Sequence, residues 1–458
     1  MAQVVDVAQT LDDQKTGLAH VRIVALCFLM LFLDGIDNLG MAYVAPALSQ
    51  AWQLGRGALG PVFTAGVAGV AIGALVTGPL ADRFGRKPTM IVTVVYFSLL
   101  TLLVTQASNL TEMIVLRFFA GLGLGSLVPM AVVITSEFAP RRTRARLVTL
   151  ASCGYAIGAA SGGLIAAQVV PIYGWQGMFY LGGVLPLLLA AAMYFWLPES
   201  VRLLALRPGT RERIARTLAA INPALRFADD VTFTLTQEAA EKTKQTPRVF
   251  QLFSDGRLAI TLILWLIFFL NLTVLNLLNN WLPTLVNSTG LPQVVALRVA
   301  SSLQFGGLVG VISMGMLADR FGFFRVLAVG FFVAGTFVGL IGSVGAAAAL
   351  LAAIIAIAGF CNIGCQITDA ALAATLYPTD IRSTGVNWAH GVARILSTVG
   401  PLLGGILLDY EWPLRNIFLL FSLPLFMACG AMLVLQSVVH ARDKARGAAL
   451  AAGQSAAA

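Results

Sequence analysis

Very few charged residues stand inside the apolar runs of this chain, and their types could bind a proton or an anion. In LFLDGIDNLG (Leu31–Gly40) two acids, Asp34 and Asp37, lie three residues apart. On a helix they point about 60° apart, with Asn38 beside them, so all three can face one cavity. Two carboxylates sharing a low-dielectric site cannot both stay ionised without cost, so a bound proton is expected on at least one of them. A second cluster lies in NWAHGVARIL, where Asn387, His390 and Arg394 form a stripe at helical spacing. A guanidinium matches a carboxylate in bidentate fashion, which makes Arg394 the first choice for an anionic substrate. A histidine side chain ordinarily titrates near neutrality, so His390 could be a further proton site; a neutral, hydrogen-bonded histidine is the equal alternative.

Arg117, in MIVLRFFAGL, lies at a depth similar to Asp37. Two roles stay open for it: a structural ion pair with Asp37, or a gating or substrate role. Candidate hydrogen-bonding wall residues are Asn276, Asn279 and Asn280 in LNLLNNWLPT, Gln304, and the face formed by Asn362, Gln366 and Asp369. Any one of these alone can also be glue between helices. The aromatics Phe63, Tyr155 and Trp388 could pack on a ring, although aromatics in helices are usually core. Glu137 is expected to pair with Arg141 or Arg144.

The elements that must position these groups are membrane spans. The 458 residues are 58% hydrophobic and 11% charged, against roughly a quarter charged in a soluble domain. Apolar runs of about 20 residues recur along the chain. Polar breaks divide them into twelve expected helices, near 21–47, 57–80, 88–107, 112–137, 146–169, 176–197, 257–284, 293–317, 325–344, 347–376, 383–408 and 414–438. The fold class is therefore all-α and polytopic. With both termini placed in the cytoplasm, all but five of the 30 Lys and Arg residues fall in cytoplasmic segments. Arg56, Arg298 and Arg415 lie outside, and Arg117 and Arg394 lie within spans. That asymmetry sets the orientation. It also accounts for the net charge of +9 without nucleic acid as a partner.

An internal repeat organises the spans. ADRFG occurs at Ala81–Gly85 and again at Ala318–Gly322, an offset of 237 that also relates Pro46 to Pro283 and Trp175 to Trp412. The domain expectation follows: a cytoplasmic segment 1–20, a six-helix bundle 21–197, a cytoplasmic loop 198–256, a second six-helix bundle 257–438 and a cytoplasmic tail 439–458. Two like halves around a central cavity are the architecture of alternating-access transporters. At the same offset Asp34 falls on Asn271, so one half carries an acid where the other carries an amide.

GPLADRFGRKP and its echo MLADRFGFFR resemble the cytoplasmic loop signature of the major facilitator superfamily, each copy between the second and third helix of its half. Within it the chain looks like the aromatic acid:proton symporters. That resemblance rests on DGID, WLPT (Trp281–Thr284), PESVRLLA (Pro198–Ala205) and LYPTDIRSTGVNWAHGVARILSTVGPLLGG (Leu376–Gly405). It implies import of a benzoate- or hydroxybenzoate-like carboxylate with protons, through a multi-pass protein of the bacterial inner membrane that works as a monomer. It also implies a conformational latch of Gly78, Asp82, Arg83, Gly85 and Arg86, repeated by Asp319 and Arg320, with Asp82 pairing across the halves when the cytoplasmic side is shut. His390 interrupts a run expected to be glycine-rich. The competing reading is a proton-driven exporter of organic compounds, against which helix 5 lacks the proline of GPxxGG.

An enzyme is not expected, since there is no nucleotide-binding motif and no nucleophile–base set. No cofactor or metal is expected either. The five cysteines (Cys27, Cys153, Cys361, Cys365, Cys429) lie in apolar spans and read as free thiols. No cleaved signal peptide is read at the N-terminus.

Overall fold

A computed structural model describes residues 4–14, 16–55, 57–205, 209–221, 231–234, 249–254, 256–378 and 381–457. Arg56 and most of the central loop lie outside the described residues, as does the Thr379–Asp380 step of the long helix 11 motif. Among the described residues, twelve helices are long and apolar enough to cross a membrane. The chain divides into two compact units, Met1–Leu54 with Pro61–Thr246, and Gly55–Gly60 with Pro247–Ala458.

In the first unit the spans are α2 (Leu18–Ala51), α3 (Gly60–Phe84), α4 (Arg86–Val104), the pair α5 (Leu110–Leu124) and α6 (Leu127–Phe138), α7 (Arg144–Tyr173) and α8 (Gln176–Trp196). In the second they are α11 (Leu258–Asn287), α12 (Gln293–Phe321), α13 (Phe323–Ile341), α14 (Ala348–Leu376), the pair α15 (Arg382–Leu396) and α16 (Val399–Asp409), and α17 (Leu414–Ala457). The fourth and eleventh spans, read as continuous from hydropathy, are therefore each broken by a short turn. The cause is the same in both. Pro129 and Pro401 lack an N–H, so the carbonyls of Gly125 and Ser397, four residues earlier, lose their helical partners. Hydroxyls take up neighbouring carbonyls at the break: Ser126 donates to Gly123 O at 2.9 Å, and Ser397 to Arg394 O at 3.0 Å.

Small residues set the packing, as expected where lipid offers no hydrophobic drive between helices. A Cβ on Gly35 of α2 would stand 2.7 Å from the Ala159 amide of α7, and one on Gly158 2.8 Å from the Phe32 carbonyl carbon. In the second unit, Gly359 of α14 meets the Leu303 backbone of α12 in the same way. Each unit also ties its first helix to its fifth by an aromatic donor. Tyr43 Oη donates to Ala159 O at 3.2 Å, and Trp281 Nε1 donates to Pro401 O at 2.8 Å. The two ADRFG repeats end alike, at Gly85 (φ 115°) and Gly322 (φ 89°), a region of backbone that only glycine enters freely.

The N-terminal segment packs on the first unit. Strand β1 (Val4–Asp6) pairs in parallel with β2 (Thr232–Thr234). Helix α1 (Val7–Asp12) buries Val7 and Leu11 in one cluster with Val201 and Leu204 of α9 (Val201–Ala205) and Ile214, Leu218 and Ile221 of α10 (Arg211–Ile221). The apolar spacing in α10 supplies that face.

Candidate functional site

In the first unit, the site grows from α2. Asp34 and Asp37 are both 2% exposed. Gly35, between them, turns toward α7, where its lack of a side chain lets the two backbones meet. Asp37 points among α4, α5 and α8. Its Oδ1 lies over Gly182, where a Cβ would come within 2.7 Å of it, and Thr101 of α4 flanks the same spot. Arg117, 5% exposed, rises from α5 with Nη1 3.7 Å from Asp37 Oδ2 and Nη2 3.5 Å from Asp37 O. The guanidinium carbon stands 5.6 Å from the centre of the Phe179 ring. Arg117 and Asp37 thus form the ion pair that is one of the roles open to Arg117. The pair is loose, since among the described residues neither Asp37 Oδ2 nor Arg117 Nη1 has a hydrogen-bond partner.

In the second unit, Arg394 is exposed on the last turn of α15, just before the Ser397 break, and Asn387 is exposed one helical repeat earlier. His390 lies half-buried between them, its ring edge-on to Phe268 at 4.7 Å. Trp388 stacks on Trp265 of α11 at 6.4 Å. The wall residues are more occupied than the sequence suggests. Asn276 donates to Ser397 Oγ at 2.9 Å, Asn280 to Asn276 O at 2.7 Å and Gln304 to Asn279 Oδ1 at 2.8 Å. All three thus join elements or turns of this unit, and Gln366 is half-buried. Asp369 departs most from its expected place in a cavity wall. It is 1% exposed, and its Oδ2 accepts from Asn271 Nδ2 at 3.5 Å.

At the end of α3, Gly78 and Arg83 are helical, and Arg83 lies over the neighbouring Phe84 ring at 5.4 Å. The side chain of Asp82 lies outside the described residues. Arg86 pairs with Glu137. This corrects the expectation that Glu137 pairs with Arg141 or Arg144. The end of α6 instead faces the start of α4, and Arg144 is taken by Asp12, 132 residues away in sequence. Ser200 Oγ donates to Glu137 Oε2 at 2.6 Å, and Glu199 Oε1 accepts from the amides of Arg86 at 3.0 Å and Lys87 at 3.2 Å. Glu199 was missed as a functional residue; its signal was a lone acid in PESV directly after an apolar span. Arg202 lies 3.7 Å from Asp12. Burial, with the Arg144 charge beside it, pulls the Arg202 guanidinium below its usual range, while Asp12 and Asp6 oppose this. In the repeat, Asp319 and Arg320 are exposed, and Arg320 lies over the Phe321 ring at 5.3 Å.

Twelve candidate spans in two like units, with ionisable side chains buried inside several of them, are the features of a multi-pass membrane transporter. The Major Facilitator Superfamily model matches residues 27–392. The 4-hydroxybenzoate transporter of Pseudomonas aeruginosa is 38% identical over 437 residues, covering 95% of this chain and 97% of its own. The gallate transporter of Pseudomonas putida is 38% identical over 429 residues, with 94% of each chain covered. Among solved structures, a bacterial homologue of the human lysosomal transporter Spinster superposes with a TM-score of 0.70 at 14% identity, covering 93% of this chain and 98% of that one. The chain belongs to the Major Facilitator Superfamily, and within it to the family of aromatic acid transporters.

Proposed function

We propose that the protein imports an aromatic carboxylate of the benzoate or hydroxybenzoate class together with protons. It does so by alternating access, as a monomer in a bacterial inner membrane with both termini cytoplasmic. The observation that carries this reading is the loose, buried Asp37–Arg117 pair. While Asp37 is ionised the pair is neutral overall. A proton on Asp37 leaves the guanidinium charge uncompensated, and the interior of the first unit becomes favourable to an anion. The coupling is reciprocal: an anion drawn to that charge favours the proton on Asp37 by the same free energy. Asp34, equally buried one turn earlier, is the other candidate carrier of the proton.

Arg394 takes the substrate carboxylate through its planar fork, with Asn387 and His390 beside it. The aromatic names of the relatives fit a ring held by Trp388 and Phe268, whose neighbours Trp265 and His390 already fix them. Asp82 and Asp319 act as the cytoplasmic latch, with Gly85 making the turn and Arg86 anchored through Glu137.

The test is uptake of labelled 4-hydroxybenzoate into proteoliposomes under an imposed pH gradient with the outside acid. Uptake should exceed equilibrium, collapse with a protonophore, and lose its uphill component in Asp37→Asn. Uphill uptake that ignores the protonophore contradicts proton symport.

A further inference from the structure

The second unit holds a buried acid for which the mechanism above has no use. Asp369 sits in the middle of α14, 1% exposed, facing Asn271 of α11, which is likewise 1% exposed. Its only hydrogen bond among the described residues is the 3.5 Å one from Asn271 Nδ2 to Oδ2. Asp369 Oδ1 and Asn271 Oδ1 are both buried with no hydrogen-bond partner among the described residues. Charged and titratable groups on the elements packed against α14 are few. On α11 the flanking residue is Arg257, at its N-cap; on α12 they are Arg298, Asp319 and Arg320; on α13, Arg325; on α15, Arg382, His390 and Arg394. The only titratable groups of α14 besides Asp369 are the thiols of Cys361 and Cys365. Among the described residues none of the cations forms an ion pair with Asp369.

The geometry points to Asp369 as a second proton-binding carboxylate of the transport cycle, with Asn271 as its positioning partner. The hydrogen-bond inventory carries the assignment. An ionised carboxylate only accepts, so it leaves Asn271 Oδ1 with nothing to accept from and a charge in a site without a cation. A neutral carboxylic acid has one O–H to give. It donates from Oδ1 to Asn271 Oδ1 while Oδ2 accepts from Asn271 Nδ2, and both orphaned oxygens are satisfied by one proton. Loss of that proton sets two acceptor oxygens against each other, one on α11 and one on α14. The pair is therefore a clasp between two spans that closes with the proton on and loosens with it off. No bond other than the O–H is made or broken, and the proton comes from and returns to water.

The repeat gives this pair a further meaning. Asn271 stands where the first unit has Asp34, so the second unit places its acid on a neighbouring helix, facing the equivalent position. An amide at 369 would make a similar pair with no titratable group, which is what makes the test clean.

This inference rests on the proton-symport reading, and the experiment separates the two. Purified protein is reconstituted into liposomes with the membrane potential clamped at zero. Steady-state accumulation of labelled 4-hydroxybenzoate is then measured against the imposed pH difference for wild type, Asp369→Asn, and the swap Asp369→Asn with Asn271→Asp. Each coupled proton contributes about tenfold accumulation per pH unit. Asp369→Asn is expected to move one proton fewer per anion, so its accumulation falls about tenfold at a difference of one pH unit. The swap, which returns an acid to the pair from the other helix, should regain the lost proton. Unchanged stoichiometry in Asp369→Asn overturns the assignment. If Asp369→Asn does not fold, the swap decides alone: wild-type stoichiometry supports the second site and one proton fewer overturns it. A wild type that shows no proton coupling at all sinks the symport reading itself, a different result from coupled wild type with an unaltered variant.

Discussion

The two units solve the same problem, an acid held inside a membrane bundle, with different partners. In the first, Asp37 faces the Arg117 guanidinium from α5; in the second, Asp369 faces the Asn271 amide from α11. A cation partner makes the ionised acid tolerable and turns protonation into the release of a positive charge. An amide partner favours the neutral acid and turns deprotonation into the loss of a hydrogen bond. The repeat makes the contrast sharper, because Asn271 is the positional counterpart of Asp34. Like scaffolds, tied by Tyr43 in one unit and Trp281 in the other, thus hold acids whose protons have opposite electrostatic consequences.

The largest effect should come from breaking the charged pair from the cation side. Arg117→Leu leaves Asp37 buried without its guanidinium, at a cost of about 3–5 kcal/mol. Thermal unfolding of the detergent-solubilised protein should show this at neutral pH, with the loss shrinking as the pH falls and Asp37 takes up a proton. A pH-independent loss would mean that the guanidinium contributes packing, not charge. Next in size is Arg394→Ala. A charge-assisted hydrogen bond is worth about 1.5–3 kcal/mol, so the half-saturation constant for 4-hydroxybenzoate should rise roughly 10- to 150-fold. An unaltered constant would remove Arg394 from the substrate site.

Gly182→Ala probes the cradle of Asp37 without touching a charge. The added methyl would meet Asp37 Oδ1, and overpacking of this kind costs about 1–3 kcal/mol. Unfolding temperature and uphill uptake should fall together, whereas loss of stability with intact coupling would separate packing from proton chemistry. The smallest effect is expected from Trp281→Phe in the second unit. It removes the hydrogen bond to Pro401 O, worth about 0.5–1.5 kcal/mol, and should lower thermal stability with little change in transport.

Much of this was legible in the sequence, for physical reasons. Spans announce themselves because a bilayer demands about 20 apolar residues, and the ADRFG repeat gives the two units away. Asp34, Asp37 and Arg117 stood out because charge is costly at membrane depth. The breaks at Gly125 and Ser397 were hidden because hydropathy does not register a missing N–H, although Pro129 and Pro401 were the available signal. Nearness in sequence points Glu137 to Arg141 or Arg144, while the fold brings Arg86 to it and Asp12 to Arg144. The β1–β2 pairing joins segments more than 220 residues apart, so no local pattern could reveal it. The sequence pattern puts Asp369 on a face with Asn362 and Gln366, but a helical face tells which residues point together, not toward what.

The most direct measurement is accumulation of labelled 4-hydroxybenzoate in proteoliposomes under an imposed pH gradient, comparing wild type with Asp37→Asn. The account predicts uphill, protonophore-sensitive uptake in wild type and only downhill equilibration in the variant. Undiminished uphill uptake by Asp37→Asn would contradict it.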